Sequence, residues 1–318
     1  MKDYCINELS DDLLKTHVTE IINNADRKLL ERVYEVLTSE GFVDRLKTVL
    51  NENSTAAKIQ DSIARTVVST PGSIKDKTEF IDGFTEGYID TEELLNPYST
   101  IDKWFTGNLF ARQVFMETAT EVKCQGVGAG EFAFAAFSPN IQGVGQVGGG
   151  GDLLINNKRV ELKTKVSAWG RLHDAKKMNY NMPSIRSLFN QMGIDKQSLT
   201  VIEWIKIRAP IPLSKRIAIS THVVENLFSH VSKRSMERLI HSLAMDNIDA
   251  IKREWGLLSF ENYKAAANFD GILFFDLPKG LTYYVEDLRT VNYRTEAPQI
   301  YGPELSAMPK IGVLPMGK

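Results

Sequence analysis

Two acids and a lysine, Asp152, Glu161 and Lys163, have the types and spacing to work on a phosphate ester. Glu161 and Lys163 are two residues apart, so on a strand they share a face. Carboxylates brought together in a part-buried place repel each other, and each costs several kcal/mol to desolvate. A divalent cation removes both problems. Mg²⁺ prefers hard oxygen ligands, keeps most of its waters and takes one or two carboxylates plus substrate phosphate. Such an ion lowers the pKa of a bound water and polarises a phosphoryl oxygen. Lys163 could then orient the attacking water, steady the growing charge on phosphate, or act as a base. The set suits phosphodiester hydrolysis.

The elements that must hold these groups are two strands and a tight turn. The apolar residues Leu153, Ile155, Val160 and Leu162 flank Asn156-Asn157, and an Asn pair tolerates the positive φ of a two-residue hairpin. Alternation sends Glu161, Lys163 and Lys165 one way, and Val160, Leu162 and Thr164 the other. Asp152 falls at the start of the first strand, opposite Glu161 and Lys163 once the hairpin closes. The same three residues could instead form an ion-pair ladder on an exposed hairpin.

An Asp, a hairpin and then Glu-x-Lys within an apolar strand resembles the core of the PD-(D/E)XK nuclease superfamily, the type II restriction endonuclease-like fold. The resemblance implies that Asp152 and Glu161 are metal ligands and Lys163 the catalytic lysine. Many members add a glutamate on the helix before the first strand, and Glu131, within Gly128 to Phe137, fits that slot. Glu131 could equally be a first-turn carboxylate favoured by the helix dipole. The chain departs from the pattern in one place, with Gly151 rather than Pro before Asp152. The resemblance runs from Gly128 to Leu172 and is silent on the rest.

The chain also supplies a decoy, Glu121-Val122-Lys123, with Asp102 upstream. Its context is helical, since Ala111, Phe115, Thr118 and Val122 share a face and Glu121 falls off it. The Gly-rich run from Gly126 to Gly151 has no Gly-x-Gly-x-x-Gly between a strand and a helix, and no Walker lysine follows, which disfavours a phosphate loop. After the hairpin, Arg171 could grip a phosphate, with His173 as a further polar candidate. Pro183 suits the first turn of a helix carrying Ile185, Leu188, Phe189 and Met192, closed by Gly193. Arg186 lies off its apolar face and could meet DNA.

Charge agrees with a polyanionic partner. The 318 residues carry a net charge of −2, but residues 1–100 hold 11 Lys+Arg against 19 Asp+Glu, while 158–216 hold 13 against 4. A basic segment beginning at the proposed site is the footprint of nucleic acid, although it could be a generally basic solvated face. Cys5 and Cys124 make neither a disulfide framework nor a zinc pattern, so a cytoplasmic, reducing setting is expected. The polar start does not read as a signal peptide. No apolar run approaches the roughly 20 residues of a membrane span.

Elsewhere the pattern predicts four helices over residues 10–70. The first is capped by Ser10, the second is stopped by Gly41, the third carries Phe42 and Leu46, and the fourth ends near Pro71-Gly72. Residues 73–106 read as a solvated acidic connector. Residues 199–207 are too continuously apolar to assign by period. Phe269 to Asp276 reads as a buried strand with Thr282 to Val285 as its hairpin partner. Lys233, Arg234 and Arg238 add charge to a helix.

The expected fold is therefore α/β (α+β mixed): a restriction endonuclease-like mixed sheet flanked by helices. Residues 1–100 form an acidic N-terminal helical domain and connector. Residues 101–290 form the nuclease-like core, with a helical insertion over about 174–265. Residues 291–318 form an extended C-terminal arm, packed on the body or on a partner rather than a domain. The expected function is a Mg²⁺-dependent DNA nuclease, with Mn²⁺ substituting, and an endonuclease by the restriction-like resemblance. Asp152 and Glu161 hold metal, Lys163 and Glu131 assist, and Lys165, Arg171 and Arg186 meet DNA. A homodimer would serve duplex cutting, and a protein partner could bind the N-terminal helices or the C-terminal arm. The alternatives are a non-catalytic nucleic-acid-binding or assembly protein that retains the fold, and an RNA-directed hydrolase.

Overall fold

The structure, a computed structural model, describes residues 27–49, 56–121, 128–144, 150–164, 169–172, 177–245, 247–302 and 309–314. The expected first helix, with its Ser10 cap, lies outside them, as do Cys5, Cys124, Lys165 and His173. In chain order the helices before the sheet are α1 (27–37), α2 (Glu40–Val49), α3 (Ala56–Ser69), α4 (Ile74–Gly83) and α5 (Thr91–Leu94). Then come β1 (Ser99–Thr100), α6 (Ile101–Trp104), α7 (Leu109–Glu121), α8 (Ala129–Ala136) and β2 (Ile141–Gly143). The hairpin follows as β3 (Leu153–Ile155) and β4 (Lys158–Thr164), then β5 (Trp169–Arg171). Next are α9 (Met182–Gln191), β6 (Leu199–Thr200), α10 (Val201–Arg208), α11 (Leu213–Leu227), α12 (Lys233–Met245) and α13 (Ile248–Ala267). The chain ends through β7 (Gly271–Asp276), β8 (Leu281–Val285), β9 (Tyr293–Thr295), β10 (Gln299–Tyr301) and β11 (Lys310–Val313).

The chain divides into two compact units, Met1–Asp90 with Phe105–Gly143, and Thr91–Trp104 with Val144–Lys318. The first is mainly helical, as its amphipathic spacing requires. Gly41 does not stop a helix. The break falls at Thr38 and Ser39, and Gly41 lies in the first turn of α2.

The expected connector at 73–106 is also different from the expectation. Ser73 and Asp76 form a capping box that starts α4, and the hydrogen bonds from Ser73 hold the Asp76 carboxyl below its usual range. Phe80, Ile81, Phe84 and Tyr88 are buried, while Glu79, Asp82 and Glu86 face solvent. The acids that suggested a connector are the wet side of an amphipathic helix. Its dry side is an aromatic core, with ring centroids of Phe80–Phe84 and Phe84–Phe137 both 5.2 Å apart and Phe115–Phe137 5.3 Å apart.

The segment 91–104 belongs to the second unit because β1 pairs with β8, Ser99 opposite Thr282, and Trp104 packs edge-on to Phe275. Five strands of this unit run in the order β1-β8-β7-β4-β3. The sheet is mixed: β4 is antiparallel to β3 and parallel to β7, which is antiparallel to β8. The hairpin turn forms as its sequence dictates. Asn156 and Asn157 have φ of 49° and 64°, the positive pair a primed two-residue turn needs.

Paired residues of neighbouring strands share a face. The register therefore puts Glu161 and Lys163 with Ile272, Phe274, Tyr283 and Val285. Helices α9 to α13 cover this face. Phe189, Trp204, Leu227, Trp255 and Tyr263 share one core with those four sheet residues. The expected insertion at 174–265 is thus the crossover between parallel strands, which requires a long connection, and it is continuous with the sheet's own core. Residues 199–207 resolve into a short strand and α10, whose N-terminus is a Thr200–Glu203 capping box.

The C-terminal stretch packs within its own unit. β10 pairs with β6, and β11 lies between β5 and β9. Among the described residues no helix is long and apolar enough to cross a membrane.

Candidate active site

β4 carries the site because it lies between two strands and buries both of its faces. Val160 and Leu162 are buried on one side and Glu161 on the other. A carboxylate with only 7% of its surface exposed must find donors, and Glu161 finds two on a single oxygen. Lys163 Nζ donates to Oε1 at 2.7 Å and the Tyr263 hydroxyl donates to the same atom at 2.5 Å. Lys163 Nζ also lies 3.4 Å from the Tyr263 oxygen and 5.2 Å from the centre of its ring. Among the described residues Glu161 Oε2 accepts no hydrogen bond.

Asp152 is placed by the other edge of β4. β3 begins at Leu153, opposite Val160, so the Leu162 N–H lies beyond the paired strand. Asp152 Oδ2 accepts from that N–H at 2.7 Å, and the Asp152 N–H donates to the Val160 carbonyl at 2.9 Å. The aspartate is thereby fixed on the register of Glu161. Gly151 before it has a φ of 77°, which proline cannot adopt. The departure from the resembled pattern thus has a backbone cause.

Lys163 is held along its stem as well as at its head. A Cβ on Gly170 would come within 2.7 Å of Lys163 Cγ, so only glycine lets β5 lie against the lysine's methylenes. Arg171 is next along β5, and strand alternation turns it to the opposite face.

Of the other sequence candidates, Arg186 is exposed on α9 and donates Nη2 to the Gln197 carbonyl at 2.8 Å. Glu131 is half-buried in the first turn of α8, in the first unit, where the N-cap Gly128 supplies no side chain. Lys165 lies outside the described residues. Asp270, just before β7, accepts from the Arg159 N–H at 2.7 Å and holds β4 to β7 at their start.

Two residues escaped the sequence. Tyr263 is separated from Glu161 by 102 positions and is marked there only as part of an apolar helix face. Asp276, at the end of β7, is 3% exposed and takes the same face as Lys163. Its Oδ2 pairs with Lys279 at 3.3 Å, and its Oδ1 is buried without a hydrogen bond.

No three His, Cys, Asp or Glu side chains gather closely enough among the described residues to hold a metal by themselves. The donors that are present, Glu161 on β4 with one oxygen uncommitted and Asp152 just before β3, fit the partial, water-completed shell that Mg²⁺ takes. Compared with known proteins, the chain matches no family model, no curated protein and no solved structure.

Proposed function

We propose that this chain is a metal-dependent nuclease that hydrolyses phosphodiester bonds in DNA. The observation that carries the proposal is the buried Glu161–Lys163 pair on the central strand, with side chains 9% and 18% exposed and Asp152 anchored beside it. Burying an ion pair is seldom a gain in stability, and a strand of this kind could be built from valine and leucine at less cost. Function is the usual reason to keep such groups.

Asp152 and Glu161 would hold Mg²⁺ or Mn²⁺, which supplies a polarised phosphoryl oxygen and a more acidic water when bound. Lys163, held at 2.7 Å from Glu161, has further protons to donate to a phosphoryl oxygen carrying developing charge. The basic run of residues 158–216 supplies the long-range attraction for a polyanion. Cutting of duplex at both strands would bring two copies of the chain together.

A second reading is a DNA-binding or assembly protein without chemistry. It is favoured by the Lys163 ammonium and the Tyr263 hydroxyl both being engaged by Glu161 Oε1. Cleavage of supercoiled and linear DNA in Mg²⁺, Mn²⁺ or EDTA separates the two. Under the nuclease proposal the wild type cuts only with metal, and Lys163→Ala and Asp152→Ala do not cut. If all three proteins bind DNA with steep salt dependence and none cuts, the proposal falls and the second reading stands.

A further inference from the structure

We infer that Tyr263 is a positioning residue of this site: it fixes Glu161 so that Oε2 alone is presented to a divalent cation, and it seats the Lys163 ammonium beside it. The inference rests on the nuclease reading and adds a residue that neither the Glu-x-Lys spacing nor the hairpin supplies.

Three observations carry it. The Tyr263 hydroxyl and the Lys163 ammonium converge on one oxygen of Glu161, at 2.5 and 2.7 Å, so the carboxylate is oriented from two directions and its second oxygen is left over. The ring lies under the ammonium at 5.2 Å, where the aromatic face attracts a cation. Tyr263 is itself immobilised: it is 4% exposed and meets Phe269 edge-on at 5.2 Å. A phenol locked in this way is a rigid reference for two otherwise flexible side chains. Groups that orient metal ligands typically change metal affinity 10- to 100-fold when removed.

Among the described residues, two hollows lie away from this site. The cleft of about 330 Å³ along α9 is lined by Arg186, Asn190 and Tyr301. The unpaired Tyr301 hydroxyl beside it is sealed in the wall rather than open to a ligand. The hollow of about 360 Å³ between α12 and α13 mixes Arg238 and Arg253 with Glu237 and Glu254, which offset them.

The test uses the full chain and Mn²⁺ alone as probe. Wild type, Tyr263→Phe and Glu161→Gln are titrated with Mn²⁺ by electron paramagnetic resonance, and DNA cleavage is followed at saturating Mn²⁺. Tyr263→Phe keeps the ring and its contact with Phe269, and a thermal melt confirms the fold. The expected result is about tenfold weaker Mn²⁺ binding in Tyr263→Phe, with cleavage at saturating metal still below wild type and Glu161→Gln losing the site. In the wild type, a ¹³Cζ-tyrosine resonance that Mg²⁺ shifts is expected, so the inference can be read even if the variant unfolds. If Tyr263→Phe binds Mn²⁺ as the wild type does while Glu161→Gln does not, or if no tyrosine signal responds, the inference is overturned and the metal site stands. If wild type and Glu161→Gln bind Mn²⁺ alike, the metal site and the inference fall together.

Discussion

Strand β4 carries a lysine–glutamate pair at each end, and the two could hardly differ more. At its start Lys158 meets Glu286 at 2.6 Å, with side chains 45% and 52% exposed. Near its end Lys163 meets Glu161 at 2.7 Å, under the helices. The distances are alike, so distance does not distinguish them; water does. The outer pair gives up little hydration and gains little, a few tenths of a kcal/mol to about 1 kcal/mol. The inner pair has surrendered its water and depends on its partners, so its members are valuable to each other and expensive to the fold. A sequence keeps the first kind of pair for solubility. It keeps the second kind only when something beyond stability is gained.

The largest effect should come from splitting the inner pair. Glu161→Ala leaves the Lys163 ammonium without its carboxylate and is expected to cost about 3–5 kcal/mol in urea unfolding, the usual penalty for a broken buried pair. Glu286→Ala should cost no more than about 1 kcal/mol. Equal costs would end the distinction drawn here. Next comes replacement of both inner partners: Glu161→Leu with Lys163→Met should restore stability to near wild type or above it, by up to about 4 kcal/mol. The same double variant should have no cleavage activity.

The smallest effect is at the outer pair, and pH reads it. Lys158 holds the Glu286 carboxyl below its ordinary range, through its hydrogen bond first. A lowered folded pKa gives stability that is present above the ordinary carboxylate value of about 4.3 and is lost as pH falls through the folded value. The gap between wild type and Glu286→Gln should therefore be visible at pH 7, shrink below about pH 4, and narrow in high salt. The Thr200–Glu203 box obeys the same sign. The Lys196 and Thr200 hydrogen bonds pull Glu203 down to about 2. The contribution of that box to α10 should persist in acid that has already silenced ordinary carboxylates, and thermal melts of Glu203→Gln against wild type between pH 5 and 2 would show it.

What was legible in the sequence follows from how local each cause is. The hairpin was legible because Asn156-Asn157 and four alternating apolar residues all sit within one short stretch. So were β7 and β8, and the start of α9 at Pro183, where a local signal fixes a local shape. Residues 73–106 misled because their acids are conspicuous, whereas Phe80 and Phe84 show their role in contacts with rings as far along the chain as Phe137. In the C-terminal arm the packing was expected but its strands were not legible, because they are three or four residues long and find partners as distant as β5 and β6. At the site, Asp152, Glu161 and Lys163 were visible as spacing. Tyr263 was not, since nothing near it in the chain announces a phenol aimed at a carboxylate.

That separation has a consequence for how the protein is made. Glu161 and Lys163 are synthesised early, but Tyr263 emerges 102 positions after Glu161, and the parallel pairing of β4 with β7 must wait longer still. Closing so long a loop is slow compared with forming the helices inside it. The arrangement around Glu161 is therefore among the last things the folding chain completes, and a chain broken off before α13 ends holds the acid and the lysine without the group that orders them. On the proposed reading, chemistry at this strand is withheld from the unfinished protein by topology alone.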